Sequence, residues 1–135
     1  MKLRNKVAVV TGASKGIGKA IAVRFAREGA SVVLASRTLA VLEEGVREIK
    51  AAGGDATAIF VDVRKVESIN DLIKKTVDCY GRLDLLVNNA GITMGGPSEE
   101  IKPEDWRAAL ETDLFSVFYA SQAAARVMIP QGGGN

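Results

Sequence analysis

The run Thr11-Gly12-Ala13-Ser14-Lys15-Gly16-Ile17-Gly18 constrains this chain more than any other feature. Before it stands Val7-Ala8-Val9-Val10, a continuous apolar run suited to a strand buried on both faces. After it, Ile17, Ile21 and Phe25 recur four residues apart, which predicts an amphipathic helix that stops at Gly29. Three glycines between a strand and a helix let the backbone turn sharply and come close to a diphosphate. The free N–H groups at the helix start then face the negative charge. A glycine triplet by itself also marks ordinary turns. The strand, loop and helix found together predict nucleotide binding.

The alternation continues along the chain. Ser31 to Ala35 reads as a second strand, and Leu39, Leu42, Val46 and Ile49 mark a second helix ended by Gly53-Gly54. Ala56 to Val61 is a third strand. Ile69, Leu72, Ile73, Val77 and Tyr80 line a third helix that ends at Gly81, and Asp84 to Val87 is a fourth strand. Lys102-Pro103-Glu104 opens a last long helix, with Pro in the first turn and acids at the positive helix end. The order βαβαβαβα predicts an α/β fold with a doubly wound parallel sheet and right-handed crossovers. No repeat or linker interrupts it. The tail Gln131-Gly132-Gly133-Gly134-Asn135 reads as flexible by composition.

Length and composition narrow the function. At 135 residues the chain holds one domain, 1–135, large enough to bury roughly two-thirds of its unfolded surface. A net charge of +2 gives no field favouring nucleic acid or an anionic membrane, so neither is expected as a partner. No segment reaches the roughly 18 uninterrupted apolar residues of a membrane span, and Val7 to Val10 is too short for a signal peptide. One Cys allows no internal disulfide, which fits a reducing, cytoplasmic setting. With no His, zinc hydrolase sites and Ser-His triads are excluded, and no metal site is expected.

The glycine spacing is G-x-x-x-G-x-G, and Asn88-Asn89-Ala90-Gly91 follows the fourth strand. Together these resemble the short-chain dehydrogenase/reductase family, whose N-terminal half carries both motifs in this order. The resemblance spans essentially the whole chain. It implies a Rossmann-like sheet that is incomplete at its C-terminal side. It also implies that Gly12, Gly16 and Gly18 cradle a cofactor diphosphate, with Ser14 and Ile17 nearby. Asn88 would tie the fourth strand to its neighbours, and the backbone of Asn89, Ala90 and Gly91 would wall the cofactor ribose. Without the glycine loop, Asn88-Asn89 would read as a turn.

Dinucleotide folds that prefer NAD place a carboxylate at the end of the second strand. Here that place reads Ala35-Ser36-Arg37-Thr38. Ser36 and Thr38 do not repel a 2′-phosphate, and Arg37 offers it a planar fork. Lys15 adds a second cation. A lone Arg37 would read as a solvated loop residue; with Lys15 and no acid, NADP is expected over NAD. Asp62-Val63 resembles the family's adenine-binding position, with the carboxylate accepting from the adenine amino group. The alternative is an Asp that starts a turn and caps the helix beginning near Val66.

The family's proton donor is a Tyr followed four residues later by a Lys, together with a Ser that orients the substrate oxygen. Asp84 follows Tyr80 at that spacing and Ala123 follows Tyr119, so neither tyrosine qualifies. One catalytic position remains. The family has an Asn seven residues after a helix-opening Trp, at a kink that holds a relay water. Trp106 matches, but the seventh residue is Asp113, which lacks the amide donor. Asp113 is therefore either a modified relay residue or an ordinary helix residue. Ser116 and Ser121 read as packing positions, and Cys79 as a buried, inert thiol. From Leu114 to Ile129 the last helix is apolar nearly all round, with only Arg126 charged, which predicts burial on more than one side and self-association into a homo-oligomer through the helix from Trp106 to Met128. The fourth strand is expected to show an open edge.

Three readings follow. The first is the NADP(H)-binding portion of an oxidoreductase acting on a small-molecule carbonyl or alcohol, without its Ser and Tyr-Lys half and inactive alone. The second is a non-catalytic NADP-binding or oligomer-interaction module. The third is a fragment with no function of its own.

Overall fold

A computed structural model describes residues 1–135. The chain runs β1 (Val7–Thr11), α1 (Gly16–Arg27), β2 (Ser31–Ser36), α2 (Leu39–Ala51), β3 (Asp55–Phe60), α3 (Val66–Tyr80) and β4 (Leu85–Val87). It continues through α4 (Pro103–Leu110), a π-turn (Glu111–Phe115) and α5 (Ser116–Met128). The strands form one parallel sheet in the order β3-β2-β1-β4, so the fold is Rossmann-like. Two crossovers extend the sheet one way from β1, and α3 carries the chain back to place β4 on the other side. The order reverses between β1 and β4, where such sheets open a crevice at their C-terminal ends.

Alternation along the strands sorts the core into two layers. Val10, Val32 and Leu34 face α1 and α2, joined by Ala22, Ala26, Leu42, Val46 and Ile49. Val9, Val33 and Ala35 face the other way, onto Ile69, Leu72 and Ile73 of α3 and Ala120, Ala123, Ala124 and Met128 of α5. No helix is long and apolar enough to cross a membrane.

Several expectations are corrected. The face that α1 buries is Gly18, Ala22 and Ala26, while Ile17 is 74% exposed. Small residues let the helix lie close to the sheet, and Ile17 lies off that buried face, on the open cleft. Leu39 likewise stays outside, and Leu42, Gly45, Val46 and Ile49 form the buried stripe of α2. Cys79 is exposed rather than buried, because it lies off the stripe of Ile69, Leu72, Ile73 and Thr76 that α3 buries.

The last helix is not uniform. The π-turn inserts between α4 and α5 while the flanking residues Leu110 and Ser116 keep right-handed helical dihedrals. Across it, two hydroxyls bond back to carbonyls one turn earlier. Thr112 donates to the Ala108 carbonyl at 2.8 Å, and buried Ser116 donates to the Thr112 carbonyl. α5 buries one side only; its Phe118 and Tyr119 remain open, next to the exposed Leu114 and Phe115 of the π-turn.

The tail is not loose. Asn135 donates to the Asp84 carbonyl at 2.8 Å and accepts from the Leu86 N–H at 2.9 Å, the pattern of a parallel neighbour. The Gln131 side chain accepts from the Leu83 N–H and donates to its carbonyl. The expected open edge of β4 is thus covered over its first residues, through main-chain partners that composition cannot reveal.

Candidate functional site

At the switch point the strand ends open into a cleft of about 710 Å³. The loop after β1 supplies Gly12, Ser14, Lys15, Gly16 and Ile17, and the end of β2 supplies Ser36, Arg37 and Thr38. Asp62 and Val63 follow β3, and Asn89, Ala90 and Gly91 follow β4. All the residues assigned to cofactor binding from sequence line this one cleft except Gly18, which lies beneath it. A Cβ on Gly18 would collide with the Gly12 carbonyl and the Asn89 side-chain amide. Its hydrogen is therefore what lets α1 meet the loop.

Local chemistry builds the phosphate end. Gly12 (φ 64°) and Gly16 (φ 58°) take left-handed conformations that L side chains rarely adopt. α1 starts at Gly16 with no side-chain cap on Lys15 and no acid in its first turn. Its leading N–H groups are left to an outside anion. At the other wall, the Thr11 hydroxyl accepts the N–H groups of Asn89 at 3.1 Å and Ala90 at 3.0 Å. Asn89 in turn donates its side-chain amide to the carbonyls of Thr11 and Gly12, at 3.0 and 3.2 Å. Asn89, not Asn88, ties β4 to β1; Asn88 reaches Ser121 of α5 at 3.2 Å.

At the β2 corner the Ser36 hydroxyl accepts the Thr38 N–H at 3.1 Å and holds the turn that presents Arg37. Neither Arg37 nor Lys15 belongs to any of the chain's ion pairs. Buried Asp62 is gripped by Arg64, whose N–H and Nε both donate to Oδ1 at 3.1 Å and whose Nη2 donates to Oδ2 at 3.1 Å. These bonds hold the Asp62 carboxyl below its ordinary value, against the upward push of burial, and the nearby Arg37 charge helps. Asp62 does not cap α3, whose N-terminal flank at Lys65 carries no side-chain cap.

Asp113 is exposed beside Gly91 and does not line the cleft. Its Oδ1 accepts the Ile92 N–H at 2.8 Å, pinning the loop after Gly91 to the π-turn, while its neighbour Thr112 lines the cleft. Neither tyrosine lines the cleft. Tyr80 shares a 3.0 Å hydrogen bond with Thr57, and burial pushes its phenol upward, the reverse of an acid poised near neutrality. Sequence reasoning missed Thr11, Arg64 and Thr112. Thr11 could have been read from its place at the junction of β1 and the loop; nothing in the sequence marks the other two.

The cleft suits an anionic dinucleotide: three cations line it, Lys15, Arg37 and Arg64, against the single carboxylate of Asp62. The family model described as short chain dehydrogenase matches residues 6–135. The chain is 41% identical over 133 residues to a 3-oxoacyl-(acyl-carrier-protein) reductase of Synechocystis sp., covering 98% of this chain and 54% of that protein. A 3-oxoacyl-(acyl-carrier-protein) reductase of Thermotoga maritima is 38% identical, covering 100% of this chain and 55% of that one. Among solved structures, a metagenomic short-chain oxidoreductase in complex with NADP superposes with a TM-score of 0.94 at 40% identity, covering 99% of this chain and 61% of that chain. The chain spans about half the length of the curated relatives it matches. On its motifs, its cleft and these likenesses, the chain belongs to the short-chain dehydrogenase family.

Proposed function

We propose that this chain is the NADP(H)-binding portion of an oxidoreductase acting on a small carbonyl or alcohol. The observation that carries the cofactor choice is the β2 corner: Ser36-Arg37-Thr38 offers no carboxylate, and Arg37 stands in the cleft without an ion-pair partner. When bound, the nicotinamide would supply or accept the hydride. Gly12, Gly16 and the open start of α1 hold the diphosphate, with Ser14 and Ile17 beside it. Lys15 and Arg37 take the 2′-phosphate. Asp62 and Val63 meet the adenine, and the backbone of Asn89 to Gly91 walls the ribose. The relative bound to NADP supports this reading by likeness. A reducing, cytoplasmic setting fits a chain with one exposed thiol.

The 135 residues contain no Tyr-x-x-x-Lys, so this polypeptide by itself is inactive in this reading. Asp113, at the position where the family has its relay Asn, holds the Ile92 loop beside the nicotinamide end in this reading. Calorimetric titration with NADPH and NADH tests the proposal. Micromolar NADPH binding, much weaker NADH binding and loss of that preference in Arg37→Glu are expected. Equal affinities would overturn the NADP choice, and no binding to either would overturn the proposal.

A second role, assembly, is favoured by the open face of α5, where Phe118 and Tyr119 stack edge to face at 5.6 Å with Leu114 and Phe115 nearby. Such a patch is more apolar than an ordinary solvated helix face and suits a second copy of the chain.

A further inference from the structure

Two arginines in the cleft face one carboxylate. The Asp62 main chain is held in place: its N–H donates to the Ser68 hydroxyl at 2.9 Å and its carbonyl accepts the Lys65 N–H at 3.0 Å. Arg64, two residues on, takes both carboxylate oxygens with three donors, the fork geometry in which Arg binds carboxylates best. Arg37 is close enough for its charge to act on the same carboxyl, yet it makes no ion pair. The short tether and the extra main-chain bond decide the competition for Arg64.

Resting on the NADP reading above, we infer that Arg64 is a specificity-determining residue: by occupying Asp62 it leaves the Arg37 fork free for the ribose 2′-phosphate. Without Arg64, a bare carboxylate on the cleft floor would capture Arg37 and repel the phosphate dianion. Both effects fall on the phosphate alone. The ratio of NADPH to NADH affinity therefore reports them, and changes in adenine or diphosphate binding cancel from it.

The test titrates the chain and its variants with NADPH and with NADH, with circular dichroism as the check on folding. Arg64→Gln is expected to lower the NADPH/NADH affinity ratio by about tenfold, the scale of one charge-assisted hydrogen bond. Adding Asp62→Asn is expected to restore the ratio, because a neutral amide no longer holds Arg37. An unchanged ratio in Arg64→Gln, or a lowered ratio that Asp62→Asn does not restore, overturns the inference and leaves the NADP reading standing. If Arg64→Gln does not fold, the Asp62→Asn/Arg64→Gln double variant decides: a wild-type ratio supports the inference and a collapsed one overturns it. A wild-type chain that binds both nucleotides equally, or neither, overturns the NADP reading and the inference with it.

Discussion

Asn89 grips Thr11 twice: its main-chain N–H donates to the Thr11 hydroxyl at 3.1 Å, and its side-chain amide donates to the Thr11 carbonyl at 3.0 Å. The same hydroxyl also accepts the Ala90 N–H and donates to the Val87 carbonyl at 3.3 Å. Thr11 is only 2% exposed, so its hydroxyl has no water to fall back on. One buried hydroxyl therefore joins the ends of β1 and β4 and fixes the width of the cleft between them.

Thr11→Val keeps the shape and removes the acceptor. The Ala90 N–H then loses its partner while the Asn89 N–H keeps the Val87 carbonyl at 3.1 Å, and unfolding free energy in urea is expected to fall by about 1–2 kcal/mol. NADPH affinity is expected to fall as well. An unchanged urea midpoint would show that the hydroxyl is not the joint.

Gly18→Ala and Gly16→Ala should differ in kind. A methyl on Gly18 meets the Gly12 carbonyl and the Asn89 amide, so the loop must move; about 1–3 kcal/mol of stability and the NADPH site are expected to go together. At Gly16 nothing lies within 4 Å of the added methyl, and only the left-handed φ is penalised, by about 1–2 kcal/mol. Thermal unfolding of both variants, beside an Asn89→Ala/Gly18→Ala double variant, separates the two causes: the double variant should regain part of the loss only if the Asn89 amide is the obstacle.

Acid should weaken the fold through Asp84. Burial pushes its carboxyl up, but the Arg82 fork, the Val7 N–H and the Lys6 charge outweigh that and leave it below its ordinary value. A carboxyl depressed in the folded state contributes stability that is complete above its unfolded value, about 3.9. That contribution is lost as pH falls through the lower folded value. Asp84→Asn is expected to be less stable than the wild type at pH 7 and to show a shallower loss below about pH 4. Parallel acid titrations of the two proteins would count against this account.

The open face of α5 gives the fourth prediction. Leu114 is 58% and Phe118 63% exposed, so charging both in Leu114→Lys/Phe118→Glu leaves the core untouched. Sedimentation is expected to show association in the wild type and a monomer in the variant, with matching helical circular dichroism. A variant that still associates would place the contact elsewhere.

Much of the site was legible because it is local. Glycine spacing, the apolar run before it and the missing acid after β2 are properties of short segments. The residues they named for the cofactor line one cleft, with Gly18 packed beneath it. The continuous apolar runs and the helical periods likewise placed the four strands and the first three helices to within about two residues, while the expected single last helix is broken by the π-turn. They overestimated contact at Ile17 and Leu39, since periodicity marks a candidate face and not which of its residues the sheet covers.

The sequence by itself determined the alternating order, the parallel sheet and the nucleotide loop, because hydrophobic period and glycine conformation act within a few residues of themselves. Only the tertiary structure decided the rest. At the π-turn the Thr112 and Ser116 hydroxyls bond back to carbonyls one turn earlier, and Asn89 rather than Asn88 reaches across to β1. Arg64, which no motif singled out, takes Asp62 and leaves Arg37 free. Each of these depends on which donor reaches a shared acceptor first, and that is set by distances in space that spacing along the chain does not contain.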